Sequence, residues 1–91
     1  MVNSLSIIIV NYKTWDKLKL CLDSISKQDG IRISTIVVDN NSADNKLDNF
    51  KNKYKWVKWI ENSKNFGFAK ACNIGANYCK SKWYLFLNPD T

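Results

Sequence analysis

Four stretches of the chain are apolar in continuous runs, and each ends in polar residues. Ser6-Ile7-Ile8-Ile9-Val10 runs into Asn11-Tyr12, and Ile33 to Val38 stops at Asp39-Asn40-Asn41-Ser42. Trp56 to Ile60 ends in a polar turn over Asn62 to Phe66, and Trp83 to Leu87 leads into Asn88-Pro89-Asp90. The continuous β-branched run from Ser6 to Val10 is what a strand covered on both faces needs, because neither face then meets water, and it reads as a central parallel strand. The third run carries Lys58 among its tryptophans and reads as a partly wet edge strand.

The intervening segments have helical spacing. Trp15, Leu18, Leu22 and Ile25 fall on one face with Cys21 beside them, Thr14 stands where a cap is needed, and Asp16 lies in the first turn near the positive end of the helix dipole. Asp29-Gly30 is expected to end this helix, since glycine takes the left-handed conformation freely. Ala43 to Tyr54 is polar apart from Leu47, Phe50 and Tyr54, which predicts a surface helix capped by Ser42 or Asn41. Entered at Gly67, a third helix presents Phe68, Ala71, Cys72, Gly75, Ala76 and Cys79 on one face. These small residues allow close approach to a sheet, a reason to keep a mid-helix glycine that costs roughly 1 kcal/mol against alanine. Lys70, Asn73 and Asn77 form another stripe.

Strand and helix thus alternate, which predicts an α/β, Rossmann-like doubly wound sheet of about four parallel strands in the order 3-2-1-4 with three helices. Ligands of such sheets bind outside the carboxyl ends of the strands where the winding reverses, between strands 1 and 4. Asn11-Tyr12 and Asn88-Pro89-Asp90 are those ends, with Asp39 one strand away.

Ninety-one residues make one domain, and 45% hydrophobic against 24% charged residues reads as soluble and globular. No apolar run has bilayer-spanning length and the start has no signal-peptide pattern, so a cytoplasmic location is expected. The net charge of +6 comes from fourteen basic residues, only Arg32 being an arginine. Lys46, Lys51, Lys53, Lys55 and Lys58 could attract nucleic acid, an anionic membrane or a phosphate-bearing ligand, but a solvated helix face explains them more simply. Scarcity of arginine argues against base readout and hence against a nucleic-acid partner. Cys21, Cys72 and Cys79 show no C-x-x-C spacing and the chain has no histidine, so buried thiols are expected rather than zinc. Neither a glycine-rich dinucleotide turn, a P-loop nor a nucleophile elbow occurs. What remains at the sheet edge is two acids, Asp39 and Asp90, among asparagines, and hard oxygens of this kind suit Mg²⁺ or Mn²⁺ completed by a substrate's phosphates.

Ser6 to Tyr12, the Val37-Val38-Asp39-Asn40-Asn41-Ser42 turn, Asn65-Phe66-Gly67-Phe68-Ala69 with Asn73-Ile74-Gly75, and Leu85 to Thr91 together resemble the amino-terminal half of a family 2 glycosyltransferase, in a pattern similar to its rhamnosyltransferase-like branch. The resemblance spans nearly the whole chain. It implies that residues 1–91 are the donor-binding part of a GT-A domain that continues in the family beyond this point. It also implies transfer of a sugar from a dTDP- or UDP-sugar to a saccharide or lipid-linked acceptor, with inversion. By the same resemblance Asn11 and Tyr12 lie against the nucleotide, Asp39 bonds the base, and Asn41 lies near the nucleoside. Asn88-Pro89-Asp90 stands where the family's Asp-x-Asp binds metal, so Asp90 is the expected ligand of Mg²⁺ or Mn²⁺, with neutral Asn88 in the first position.

Inversion needs a general base, which in the family follows the metal motif. No catalytic residue is therefore expected within residues 1–91, and these residues alone are expected to be inactive. Polysaccharide synthesis at the inner face of a membrane, with peripheral association, would agree with the basic charge. Strand 83–87 is expected to be an apolar edge that pairs with a second copy. A non-catalytic nucleotide-binding or interaction module of the same fold is the alternative.

Overall fold

A computed structural model describes residues 3–28 and 32–89. The elements alternate as β1 (Asn3–Asn11), α1 (Trp15–Ser26), β2 (Ile33–Asp39), α2 (Lys46–Lys53), β3 (Lys58–Glu61), α3 (Phe68–Tyr78) and β4 (Ser81–Leu87). Their sheet has the predicted order β3-β2-β1-β4, with every neighbouring pair parallel.

The apolar runs Ile7 to Val10 of β1 and Ile36 to Val38 of β2 are covered on both faces. Ile7, Ile9 and Val37 pack beneath α1 and the segment after α2, against Trp15, Leu18, Leu22, Tyr54 and Val57. Ile8, Val10, Ile36 and Val38 point the other way, onto Ala71 and Cys72 of α3. Burying each such aliphatic side chain contributes roughly 1.5–3 kcal/mol, so these two strands hold most of the core. Helix α3 lies close to the sheet because of Gly75, where an added Cβ would stand 2.5 Å from Ile8 Cγ2.

Element ends depart from expectation for local reasons. Thr14 does occupy the N-cap of α1, but its hydroxyl donates to Asn11 Oδ1 at 2.6 Å and makes no cap bond. Helix α2 starts at Lys46 rather than Ala43, and neither Asn41 nor Ser42 caps it. Ser42 is bonded back to Asp39, and Asn41 and Ala43 are both left-handed, with φ of 60° and 58°. Strand β3 starts at Lys58 because the Val57 N–H donates into a turn, to the Tyr54 carbonyl at 3.2 Å. Strand β4 starts early, since Ser81 pairs in register with Asn3 and its hydroxyl bonds that of Ser6. Asp29 and Gly30, expected to end α1, lie outside the described residues.

Lysines of the α2–β3 region are largely solvated, as read from the sequence: Lys51 pairs with Glu61, while Lys53 and Lys58 lie over the Tyr54 and Tyr78 rings. Exposed contacts of this kind contribute about 1 kcal/mol or less each. Cys72 is buried and Cys21 half-buried, and burial pushes both thiols up, so they stay neutral near pH 7. Among the described residues no helix is long and apolar enough to cross a membrane.

Strand β4 is the exception to the two-sided cover. Register with β1 puts Trp83 and Leu85 on the α1 side and Tyr84 and Phe86 on the α3 side. All four side chains are exposed, Trp83 by 65%, and the Tyr84 and Phe86 rings stack on each other.

Candidate active site

The carboxyl ends of β1, β2 and β4 meet at the point where the sheet winding reverses. There a cleft of about 240 Å³ is lined by Val10, Tyr12, Thr14, Asn40, Asn65, Gly67, Phe68 and Asn88. It is the crevice that the doubly wound order anticipates.

A buried polar network joins the elements around it. Asp39, 3% exposed, ends β2 beside Asn11, its register partner at the end of β1. The Asn11 amide donates to Asp39 Oδ1 at 2.9 Å, the Ser42 hydroxyl donates to the same oxygen at 2.7 Å, and the Ser42 N–H donates to Oδ2 at 3.0 Å. Asn11 Oδ1 in turn accepts from the Thr14 N–H and hydroxyl, and the Lys13 N–H donates to Ser42 Oγ at 2.9 Å. One carboxylate therefore ties the β1–α1 turn to the β2–α2 loop. Low local dielectric makes such bonds strong and makes any loss among them costly.

The same loops hold left-handed backbone at non-glycine residues: Lys13, Asn41 and Ala43 have φ near 60°. Asparagine tolerates this conformation, whereas lysine and alanine are strained there by about 1–2 kcal/mol. Such strain persists only where the surroundings impose it, and the Lys13 N–H bond to Ser42 Oγ ties the first of these residues into the Asp39 network.

A second anchor belongs to Asn40, 2% exposed. Its Oδ1 accepts from Asn62 Nδ2 at 2.9 Å and from the Phe66 N–H at 3.4 Å, and its Nδ2 donates to the Gly67 carbonyl at 3.2 Å. The Gly67 N–H donates to Asn65 Oδ1 at 2.8 Å. With φ 84° and ψ 171°, Gly67 has a backbone that side-chain-bearing residues scarcely visit.

Of the residues expected from sequence to touch a ligand, Tyr12 and Asn88 line the cleft. Asn11 and Asp39 are buried within the network, and Asn41 is exposed on the loop without lining the cleft. Asp90 lies outside the described residues. The Lys70 ammonium lies 4.4 Å from the Phe66 ring centre. Sequence reasoning passed over Asn40, Asn65 and Phe68. Asn40 follows Asp39 in one polar run with nothing in composition to set it apart, and Phe68 had been given to the core face of α3.

Chemically the lining is neutral. Tyr12 and Phe68, both more than two-fifths exposed, offer ring faces, and Asn40, Asn65, Asn88 and Thr14 offer amides and a hydroxyl. Rings with amides around them suit a base or a sugar, which stack and hydrogen-bond without net charge. None of these lining residues is an acid or a histidine. Among the described residues no three acidic, cysteine or histidine side chains gather to hold a metal.

The sequence profile of glycosyl transferase family 2 matches residues 6–91. The chain is 32% identical, over 94% of its length, to an uncharacterized glycosyltransferase of Haemophilus influenzae, and covers 29% of that protein. It is 30% identical, over 98% of its length, to a teichoic acid poly(glycerol phosphate) polymerase of Staphylococcus epidermidis, and covers 13% of it. The crystal structure of S. aureus TarS 1-349 in complex with UDP-GlcNAc superposes with a TM-score of 0.83 at 26% identity, over 96% of this chain and 26% of that one. The mannosyltransferase PcManGT from Pyrobaculum calidifontis, in complex with GDP-Man and Mn²⁺, shares the fold, with a TM-score of 0.81 at 18% identity over 99% of this chain and 28% of that one. The chain thus spans less than a third of the proteins it matches. With its parallel β3-β2-β1-β4 sheet, its cleft at the winding reversal and a profile match over nearly its full length, this chain belongs to glycosyl transferase family 2.

Proposed function

We propose that residues 1–91 form the donor-binding part of a glycosyltransferase that moves a sugar, with inversion, from a nucleoside diphosphate sugar to a saccharide or lipid-linked acceptor. The observation that carries this reading is the neutral, ring-flanked cleft at the β1/β4 boundary. Tyr12 stacks against the nucleoside. Asn11, Asp39 and Asn41 act mainly by holding the loop that shapes the cleft, and a direct bond from Asp39 to the base would engage a lone pair that the network leaves over. The likeness to TarS supports a uridine diphosphate sugar, with a dTDP-sugar as the other candidate.

Asn88, which lines the cleft, carries an amide oxygen, the hard donor type that Mg²⁺ and Mn²⁺ accept, and such ions are commonly completed by phosphate oxygens. Asp90 and Asn88 are the residues that would hold the ion, whose chemistry is to neutralise charge gathering on the departing diphosphate. Tyr12 and Phe68, on the cleft lining, shield the nucleoside from water. The proton of the acceptor hydroxyl goes to a base supplied from polypeptide that follows the metal motif in the family. Work on surface polysaccharide at the inner face of a membrane fits the basic charge.

Calorimetric titration with UDP, dTDP and GDP, with and without Mn²⁺, tests the reading. We expect metal-dependent binding of one nucleotide in the wild type and its loss in Asp90→Ala. Binding indifferent to metal in both proteins would replace the transferase reading with a nucleotide-binding module, and binding of none would remove it.

The exposed β4 edge belongs to the same proposal: residues 1–91 by themselves pair through Trp83 to Leu87. Light scattering at high concentration is expected to show dimers or larger species that Leu85→Lys reduces. A clean monomer in the wild type contradicts this.

A further inference from the structure

Asn40 joins two walls of the cleft, and the chemistry of its partners shows why an amide is required there. One partner, the Phe66 N–H, can only donate, and another, the Gly67 carbonyl, can only accept. The side chain at position 40 must therefore present an acceptor and a donor side by side, which asparagine does and aspartate does not. The backbone groups also settle which way the amide faces, since the flipped amide would meet a donor with a donor. Asn62, on the same oxygen, closes the link from the end of β2 to the β3–α3 loop. That link is doubled in the backbone, where the Asn62 N–H donates to the Asp39 carbonyl at 2.9 Å.

Gly67 makes the loop need such a hold. A Cβ there would find nothing within 4 Å, so space does not demand glycine; the left-handed, extended backbone does. Free glycine samples many conformations, and fixing this one costs entropy that the bonds from Asn40 and Asn65 offset. The segment so fixed carries Asn65, Gly67 and Phe68, three of the residues that line the cleft.

We infer that Asn40 is a positioning residue for donor binding: by bonding Asn62, Phe66 and Gly67 it holds the 62–68 segment against the cleft and so sets the affinity for the nucleotide. This rests on the donor-site reading above. Asn40→Asp is the sharp variant, because it keeps size and the acceptor and turns the Gly67 carbonyl's donor into a second acceptor. Amide hydrogen exchange over residues 62–68 is expected to accelerate while β1 and β2 stay protected, and the dissociation constant of the nucleotide that the wild type binds should rise about tenfold, the effect of one misplaced hydrogen-bonding group.

Asn62→Ala loosens the same segment through a residue that does not line the cleft, and it should weaken binding in the same direction by a smaller factor. It carries the test if Asn40→Asp does not fold. Faster exchange with unchanged affinity in these variants overturns the inference, since the hold would then be structural only. Weaker binding without faster exchange also overturns it, because Asn40 would then touch the ligand directly. A wild type that binds no nucleotide defeats the donor-site reading itself and takes the inference with it, and the wild-type titration alone identifies that case.

Discussion

Asp39→Ala is expected to destabilise the protein by about 3–5 kcal/mol. The substitution leaves the Asn11 amide, the Ser42 N–H and the Ser42 hydroxyl without their acceptor, each in a buried site. An orphaned buried donor costs about 1–3 kcal/mol, and bonds to a charged acceptor are at the upper end. A domain of this length has roughly 5–14 kcal/mol in total, so the loss is a large share of it. Asp39→Asn should be milder yet still harmful, because all three neighbours donate and an amide offers only one accepting oxygen. Urea unfolding followed by tryptophan fluorescence measures both, and a loss under 1 kcal/mol for the alanine variant would refute the idea that this carboxylate organises the loops. Lys13, Asn41 and Ala43 should lose their enforced left-handed backbone in the same variant, so nucleotide binding should go with stability.

Gly75→Val is the second large effect, expected at about 3 kcal/mol from overpacking together with the poor helix propensity of a β-branched residue. Ile8 Cγ2 at 2.5 Å and Val38 Cγ2 at 3.1 Å from the added Cβ belong to fully buried side chains on the two central strands, so neither can swing away. Gly75→Ala meets the same contact but gains about 1 kcal/mol of helix propensity, which should reduce the net loss to about 1–2 kcal/mol. The diagnostic is the double variant Ile8→Ala with Gly75→Ala. Removing Cγ2 opens room for the new methyl, so the two changes together should cost at least 1 kcal/mol less than their sum, a coupling expected only of residues in contact. Strict additivity in urea unfolding would mean that α3 moves off the sheet freely.

The fold was legible because burial on two faces writes itself into β1 and β2 as unbroken apolar runs, and because parallel strands joined by helices allow few connections. The small face of α3 likewise announced its close approach, and Gly75 carries it. Positions where side chains bond the backbone were less legible. Thr14 and Ser42 have the composition of helix caps, but both hydroxyls are used within the Asp39 network, a long-range pairing across residues 11 to 42 that no local pattern encodes. That diversion also delays α2 to Lys46. At the site, Tyr12 and Asn88 were found through their places at strand ends. Asn40 was missed because its partners Asn62, Phe66 and Gly67 come from another loop, more than twenty residues away.

Strand order has a consequence for how the chain is made. β1 lies at the centre of the sheet and is synthesised well before its neighbour β4, with Leu5 registered against Trp83. Chains emerge from the ribosome at roughly 5–20 residues per second, so one side of β1 waits several seconds for its partner. During that interval Ser6 to Val10 presents an unpaired, β-branched edge, the kind of segment that templates aggregation. Contacts so distant along the chain also close slowly. The arrangement that puts β1 and β4 side by side at the cleft therefore leaves this side of β1 without its partner strand in the nascent protein until residue 87 has left the tunnel.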